Sequence, residues 1–143
     1  MNRFGRWLLA AVSMALSSGA YAATCGSVTP DANAVVMAQH EAYVAHDLDA
    51  FAVCYADDVV ITDLTGKRPT IVGIAALREV YGKLFKRVPA GFRSEYLGKL
   101  INGPMVVVSE RSVGAANGAT PSGIAMFEVR GGKVIRVWFG PFE

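Results

Sequence analysis

The sequence is poor in charge and in histidine, and it has no cofactor signature. Asp, Glu, Lys and Arg together make up 18% of its 143 residues. No run of Lys or Arg is long enough to follow a phosphate backbone, so nucleic acid is not an expected partner. Lys83, Lys86 and Arg87 instead read as the cationic last turn of a helix. The two histidines, His40 and His46, fall on one helix at a spacing that cannot share a metal. No Asp, Glu or Cys cluster completes a ligand set, so no metal is expected. Neither a Ser-His-Asp set, a phosphate loop nor a dinucleotide fingerprint is present, and no cofactor is expected. Repeats and low-complexity linkers are missing too.

What the chain does have begins with an apolar leader. Arg3 and Arg6 precede an unbroken apolar and small run from Trp7 to Leu16, and Ala20-Tyr21-Ala22 supplies small residues for a signal peptidase. The run is about half the length that crosses a bilayer. Residues 1–22 are therefore expected to be a signal peptide cleaved after Ala22, leaving an exported, periplasmic or secreted protein not held in the membrane. Of 14 Lys and Arg in the whole chain, Arg3 and Arg6 leave with the leader, so 12 face 12 Asp and Glu. Residues 23–143, about 120 in number, suit one domain. Partners are to be sought among small molecules or a second copy of the chain.

Cys25 and Cys54 both survive cleavage. In an oxidising compartment an even pair suggests a disulfide, while the alternative is a buried thiol at Cys54 and a frayed end at Cys25.

Asp31 caps an expected helix running to about His46, and Asp47 caps a second from Leu48 to Tyr55, closed by Ala56-Asp57-Asp58. Val59 to Asp63 is β-branched and reads as a strand, and Pro69 to Val72 as a short edge piece. Gly73 opens a third helix with Ile74, Leu77, Tyr81 and Leu84 on one stripe. Four strands follow: Phe92–Ile101, Met105–Val113, Ser122–Arg130 and Lys133–Phe139. Turn residues separate them, Gly131-Gly132 being a two-residue hairpin signal. Helices followed by an antiparallel meander mean an α+β fold, with the sheet curled around three helices and a hollow left between. An apolar hollow with few polar groups is the default binding site.

Asp63 ends a hydrophobic strand. Pointed into that hollow, its pKa would rise and it could act as a general base beside a carbonyl. On spacing alone the sequence Asp63-Leu64-Thr65-Gly66 reads rather as a turn, with Asp accepting backbone hydrogen bonds. Tyr81 faces inward by pattern, and Tyr43 lies one helical turn from Gln39 on the same face. On alternation Val106, Val108 and Glu110 share one strand face, as do Ile124, Met126 and Glu128. On a concave face both acids enter the hollow; on a convex one both are ordinary solvated strand residues, which is the reading favoured for Glu128. Trp138 and Phe139 point to opposite faces, so one of them lines the hollow.

Three segments then resemble a known family. Asp47-Leu48-Asp49 through Tyr55-Ala56-Asp57-Asp58 to Asp63 and Gly66 is the first. Ala75 to Tyr81 is the second, and Gly132-Lys133-Val134 with Arg136 to Gly140 is the third. In this order they resemble the ketosteroid isomerase and SnoaL-like branch of the nuclear transport factor 2 fold, over nearly all the mature chain. The resemblance implies three helices in a strongly curved, mostly antiparallel sheet that forms a cone-shaped pocket. It also implies a homodimer paired through the open sheet face. It places Asp63 on the proton-shuttling carboxylate of the isomerases and Tyr81 on a supporting tyrosine. Gln39 stands where the catalytic tyrosine is expected, with Tyr43 one turn away as a substitute. Ala125 stands where the family keeps a protonated acid as second oxyanion donor.

The expected protein therefore binds a hydrophobic small molecule, with Gln39, Glu110, Met126, Trp138 and Phe139 as contacts. The alternative is an isomerase or lyase that moves a proton next to a carbonyl, with Asp63 as base and Tyr43 and Tyr81 beside it.

Overall fold

A computed structural model describes residues 25–26 and 31–143. The expected signal peptide lies outside the described residues. Helix α1, Ala32–Val44, is capped by Asp31, whose carboxylate accepts from the Asn33 amide at 3.0 Å. Helix α2, Leu48–Ala52, is capped by Asp47 in the same way, through the Ala50 amide. This helix ends three residues before the expected Tyr55. Tyr55 instead opens strand β1, Tyr55–Asp63, because the sheet captures the backbone there: the Cys54 carbonyl accepts from the Val134 amide at 2.8 Å. Ala56, Asp57 and Asp58 thus belong to a strand rather than to a helix end.

Strand β2, Ile71–Val72, is an edge fragment on β1, and helix α3 spans Ile74–Arg87. Gly73 begins that helix at φ 83°, a left-handed conformation that only glycine adopts cheaply. Strands β3, Arg93–Asn102, β4, Met105–Val113, β5, Ser122–Arg130, and β6, Lys133–Phe142, complete the chain. Strand β6 runs three residues past the expected Phe139, because Gly123 pairs with Phe142.

The sheet order is β2-β1-β6-β5-β4-β3. All neighbours are antiparallel except β1 and β6, which are parallel. Register shifts at Tyr96/Gly98, Gly123/Ala125 and Glu128/Val129 mark bulges. Bulges bend a strand and increase its twist, which is how this sheet curls about the helices. Its inner face carries Val106, Val108, Ala125, Phe127 and Val137, all buried against α1 and Phe51 of α2. A disulfide joins Cys25 to Cys54, with the Cα atoms 4.8 Å apart. It ties the start of the described chain to the junction of α2 and β1, and the Gly26 amide adds a bond to the Gly132 carbonyl at 2.7 Å. No helix among the described residues is long and apolar enough to cross a membrane.

Candidate functional site

Between the inner sheet face and helices α1 and α3 lies a cavity of ≈ 540 Å³. Its size falls within the range of small-molecule sites. Aromatic side chains dominate the wall: Tyr43, Phe51, Tyr55, Tyr81, Tyr96, Phe127 and Phe139 all border it. Tyr43, Phe51, Tyr81 and Phe85 pack mutually with ring centroids 4.7 to 6.2 Å apart. Such offset and edge contacts hold the rings at fixed angles.

Polar groups gather on one wall, where α1 crosses β3 and β4. Gln39 is 4% exposed and bridges two tyrosines. Its Oε1 accepts from the Tyr55 hydroxyl at 2.9 Å, and its Nε2 donates to the Tyr96 oxygen at 3.0 Å. A buried primary amide needs such partners, since an unpaired one costs about 1–3 kcal/mol. The ring of His40 stacks on Tyr96 at 3.8 Å between centroids, and its Nε2–H donates to the Ser94 carbonyl at 3.0 Å. Burial lowers the His40 pKa, which favours the neutral ring.

Glu110 enters the same wall from β4. Its Oε2 accepts from the Ser94 hydroxyl at 2.5 Å, and burial raises its pKa against the opposing effect of that bond. Burial likewise raises the pKa of Tyr43, to about 12, and those of Tyr55, Tyr81 and Tyr96, with the Glu110 charge adding to each. All four phenols are therefore hydrogen-bond donors at neutral pH and not phenolates.

Asp63 borders the cavity at its rim, in different company. Oδ1 accepts from the Thr65 amide at 2.9 Å and from the Thr65 hydroxyl at 2.7 Å; Oδ2 accepts from Arg68 Nε at 2.9 Å. These bonds, the Thr65 hydroxyl first and Arg68 next, hold its carboxyl well below the usual range. The Asp63 side chain is only 5% exposed, yet its cover is Arg68 and a polar turn, so the charge stays well solvated by protein dipoles. The expected rise in pKa does not occur, because the Asp-Leu-Thr-Gly turn forms and the Gly66 amide closes it on the Asp63 carbonyl. The guanidinium of Arg68 also lies 5.3 Å from the centre of the Phe139 ring.

Of the expected contacts, Gln39, Tyr43, Tyr81, Glu110 and Phe139 all border the cavity. Met126 and Trp138 do not. They pair with each other on the outer sheet face, since their neighbours Phe127 and Val137 take the inner one. Glu128 is on that outer face as well, ion-paired to Arg130 at 2.8 Å. Tyr55, Ser94 and Tyr96 escaped the sequence reading. Helical spacing from Phe51 places Tyr55 on a helix, and nothing local sets the phase of β3. Alternation of Ser94 and Tyr96 within an expected strand was the one available signal.

Residues 36–137 match the SnoaL-like domain. The chain belongs to that family. No curated protein matches it at a significant level. Among solved structures the SnoaL-like chain is similar to an uncharacterised cystatin-fold protein from Novosphingobium aromaticivorans. The TM-score is 0.68 at 22% identity, over 78% of this chain and 98% of the other. It is similar to an LEH-like epoxide hydrolase of M. tuberculosis, with TM-score 0.68, 19% identity, and 78% and 82% covered. A third is TerC, co-crystallised with polyporic acid, with TM-score 0.65, 20% identity, and 78% and 91% covered. These likenesses establish the α+β architecture of a curved sheet around helices; the chemistry is a separate matter.

Proposed function

We propose that this SnoaL-like protein is exported and binds a small, predominantly apolar molecule in the cavity, without chemistry being required. The observation that carries the reading is the distribution of groups: aromatic rings on most sides, and a hydrogen-bonded polar wall of Gln39, Tyr55, Tyr96, Ser94 and Glu110 on one. Apolar area would supply affinity and the polar wall orientation. The similarity to TerC, which was co-crystallised with polyporic acid, supports a small-molecule ligand. The alternative, an isomerase or lyase with Asp63 as base, draws no support from a carboxylate saturated by Thr65 and Arg68.

Export is supported by the Cys25–Cys54 bridge, which suits an oxidising compartment. A homodimer is supported by the outer sheet face, where Leu100, Val107, Ser109 and Ile124 line a shallow hollow and Leu100 is 63% exposed.

Native mass spectrometry of the protein purified from an exporting host tests all three points in one preparation. The expected result is a chain beginning at Ala23, a two-subunit mass, and an added apolar molecule that departs on denaturation. A chain that is empty and binds no apolar probe on titration would count against the cavity reading; a retained leader would count against export, and a single-subunit mass against the dimer.

A further inference from the structure

Where β3 meets β4, the polar wall sets a proton donor beside a proton acceptor at the cavity. Tyr96 and Glu110 are direct partners across the β3–β4 ladder, on the face that lines the cavity. Directly opposed residues stand with Cβ atoms about 4.5–5.5 Å apart. Two functional groups placed that close can contact a single ligand atom.

Each group is half used by the protein. The Tyr96 oxygen receives a bond from Gln39 Nε2, so its own proton is left to give. Gln39 cannot turn to take that proton, because its Oε1 already serves Tyr55. His40, stacked on the Tyr96 ring and tied to the Ser94 carbonyl, fixes the plane in which the hydroxyl lies. Among the described residues Glu110 is bonded through Oε2 alone, to Ser94, which leaves Oε1 without a donor. The Tyr96 proton and Glu110 Oε1 are thus a donor and an acceptor on neighbouring strands that a ligand can complete.

We propose that Tyr96 and Glu110 clamp one ligand hydroxyl carried on unsaturated carbon, so that the cavity selects enols and phenols over ethers and hydrocarbons of the same shape. This rests on the reading of the cavity as an apolar small-molecule site. The ligand oxygen accepts the Tyr96 proton bond while its hydrogen is donated to Glu110 Oε1. An ether or ketone satisfies Tyr96 only. A hydrocarbon satisfies neither and leaves both groups buried and unpaired. Sites built to bond a hydroxyl reject analogues lacking it far more strongly than apolar pockets reject a methylene. Flat aromatic walls suit an sp² framework, and an enol or phenol hydroxyl is more acidic than an alkanol, hence a better donor to a carboxylate.

The test uses naphthalene, 2-methoxynaphthalene and 2-naphthol as probes, titrated by calorimetry into the full disulfide-bonded protein. The expected result is that 2-naphthol binds roughly ten- to hundredfold more tightly than the ether, the span of a hydrogen bond to a charged group. Glu110→Leu should bring that ratio to about one, and Tyr96→Phe should weaken naphthol and ether alike and bring the ether down to naphthalene, whereas Leu64→Ala, on the exposed rim turn, should leave both comparisons alone. Should Glu110→Leu fail to fold, Glu110→Gln keeps the shape and weakens the acceptor, and a reduced ratio is again required. Equal affinity for naphthol and ether in the native protein, a naphthol-to-ether ratio untouched by Glu110→Leu, or an ether affinity untouched by Tyr96→Phe overturns the clamp and leaves the apolar cavity standing. No binding of any of the three overturns the cavity reading and the clamp with it.

Discussion

Asp63 and Glu110 are carboxylates bordering one cavity, and their surroundings act on them in opposite senses. Asp63 closes β1 in a tight turn where a hydroxyl, an amide and a guanidinium all donate to it. Glu110 stands within β4 with one hydroxyl donating to it, between Tyr96 of β3 and Gly123 of β5. The first is held ionised, and the second is pushed towards its neutral form. A carboxylate's place in the sequence therefore says little about its proton affinity. Its donors and its burial decide that: three donors hold Asp63 low, whereas burial outweighs the single donor that Glu110 receives from a different strand.

The rim and the wall should also differ in how much stability they contribute, and substitutions can break or sharpen that contrast. Phe51→Ala should have the largest effect. Its ring is 1% exposed among Tyr43, Tyr55, Tyr81 and Phe85, and its loss should cost about 3–5 kcal/mol in denaturant unfolding, against roughly 0.5 kcal/mol or less for Leu64→Ala at the rim. Comparable losses at the two sites would mean that the cavity wall is not the rigid part of the molecule. Gln39→Leu should follow, at about 1–3 kcal/mol, because the Tyr55 hydroxyl loses its acceptor in a buried setting. A neutral outcome there would show that the amide bridge is dispensable.

The smallest effects concern pH, and the two acids should give them opposite signs. The folded pKa of Asp63 lies below its usual 3.8. Its contribution is therefore present above that value and is lost as pH falls below it. The folded pKa of Glu110 lies above its usual 4.5. Its contribution is full below that value and is lost as pH rises through the folded one. Melting temperatures measured from about pH 3 to pH 8 should show Asp63→Asn converging on the native protein in acid. Glu110→Gln should gain on the native protein as pH increases. Parallel curves for either variant would mean that the carboxyl's surroundings do not differ between folded and unfolded chains.

Much of the fold was legible because local rules and the tertiary arrangement agree. Asp31 and Asp47 cap helices in either view, the β-branched run from Val59 to Asp63 is a strand, and Gly131-Gly132 turns a hairpin. The misreadings occur where long-range pairing overrides a local pattern. Phe51, Cys54 and Tyr55 have helical spacing, yet Val134 recruits Cys54 and Tyr55 into the sheet. Alternation grouped Glu110 with Val106 and Met126 with Glu128, but it could not say which group faces inward. The β4–β5 register answers that by setting Val106 opposite Phe127 and Met105 opposite Glu128, so Glu110 turns in while Met126 and Trp138 turn out.

By itself the sequence determined the order of helices and strands, the leader pattern, the pair of cysteines and the turn that occupies Asp63. All of these depend on residues a few positions apart, where propensity and short hydrogen bonds act. Only the tertiary structure decided that Gln39, Tyr55, Ser94, Tyr96 and Glu110 meet on one wall. Their contacts span 14 to 57 positions of chain, as in Gln39 to Tyr96 at 57 and Tyr96 to Glu110 across the strand ladder. No local rule reaches that far, because sheet register and helix packing are set by burial of the whole inner face at once.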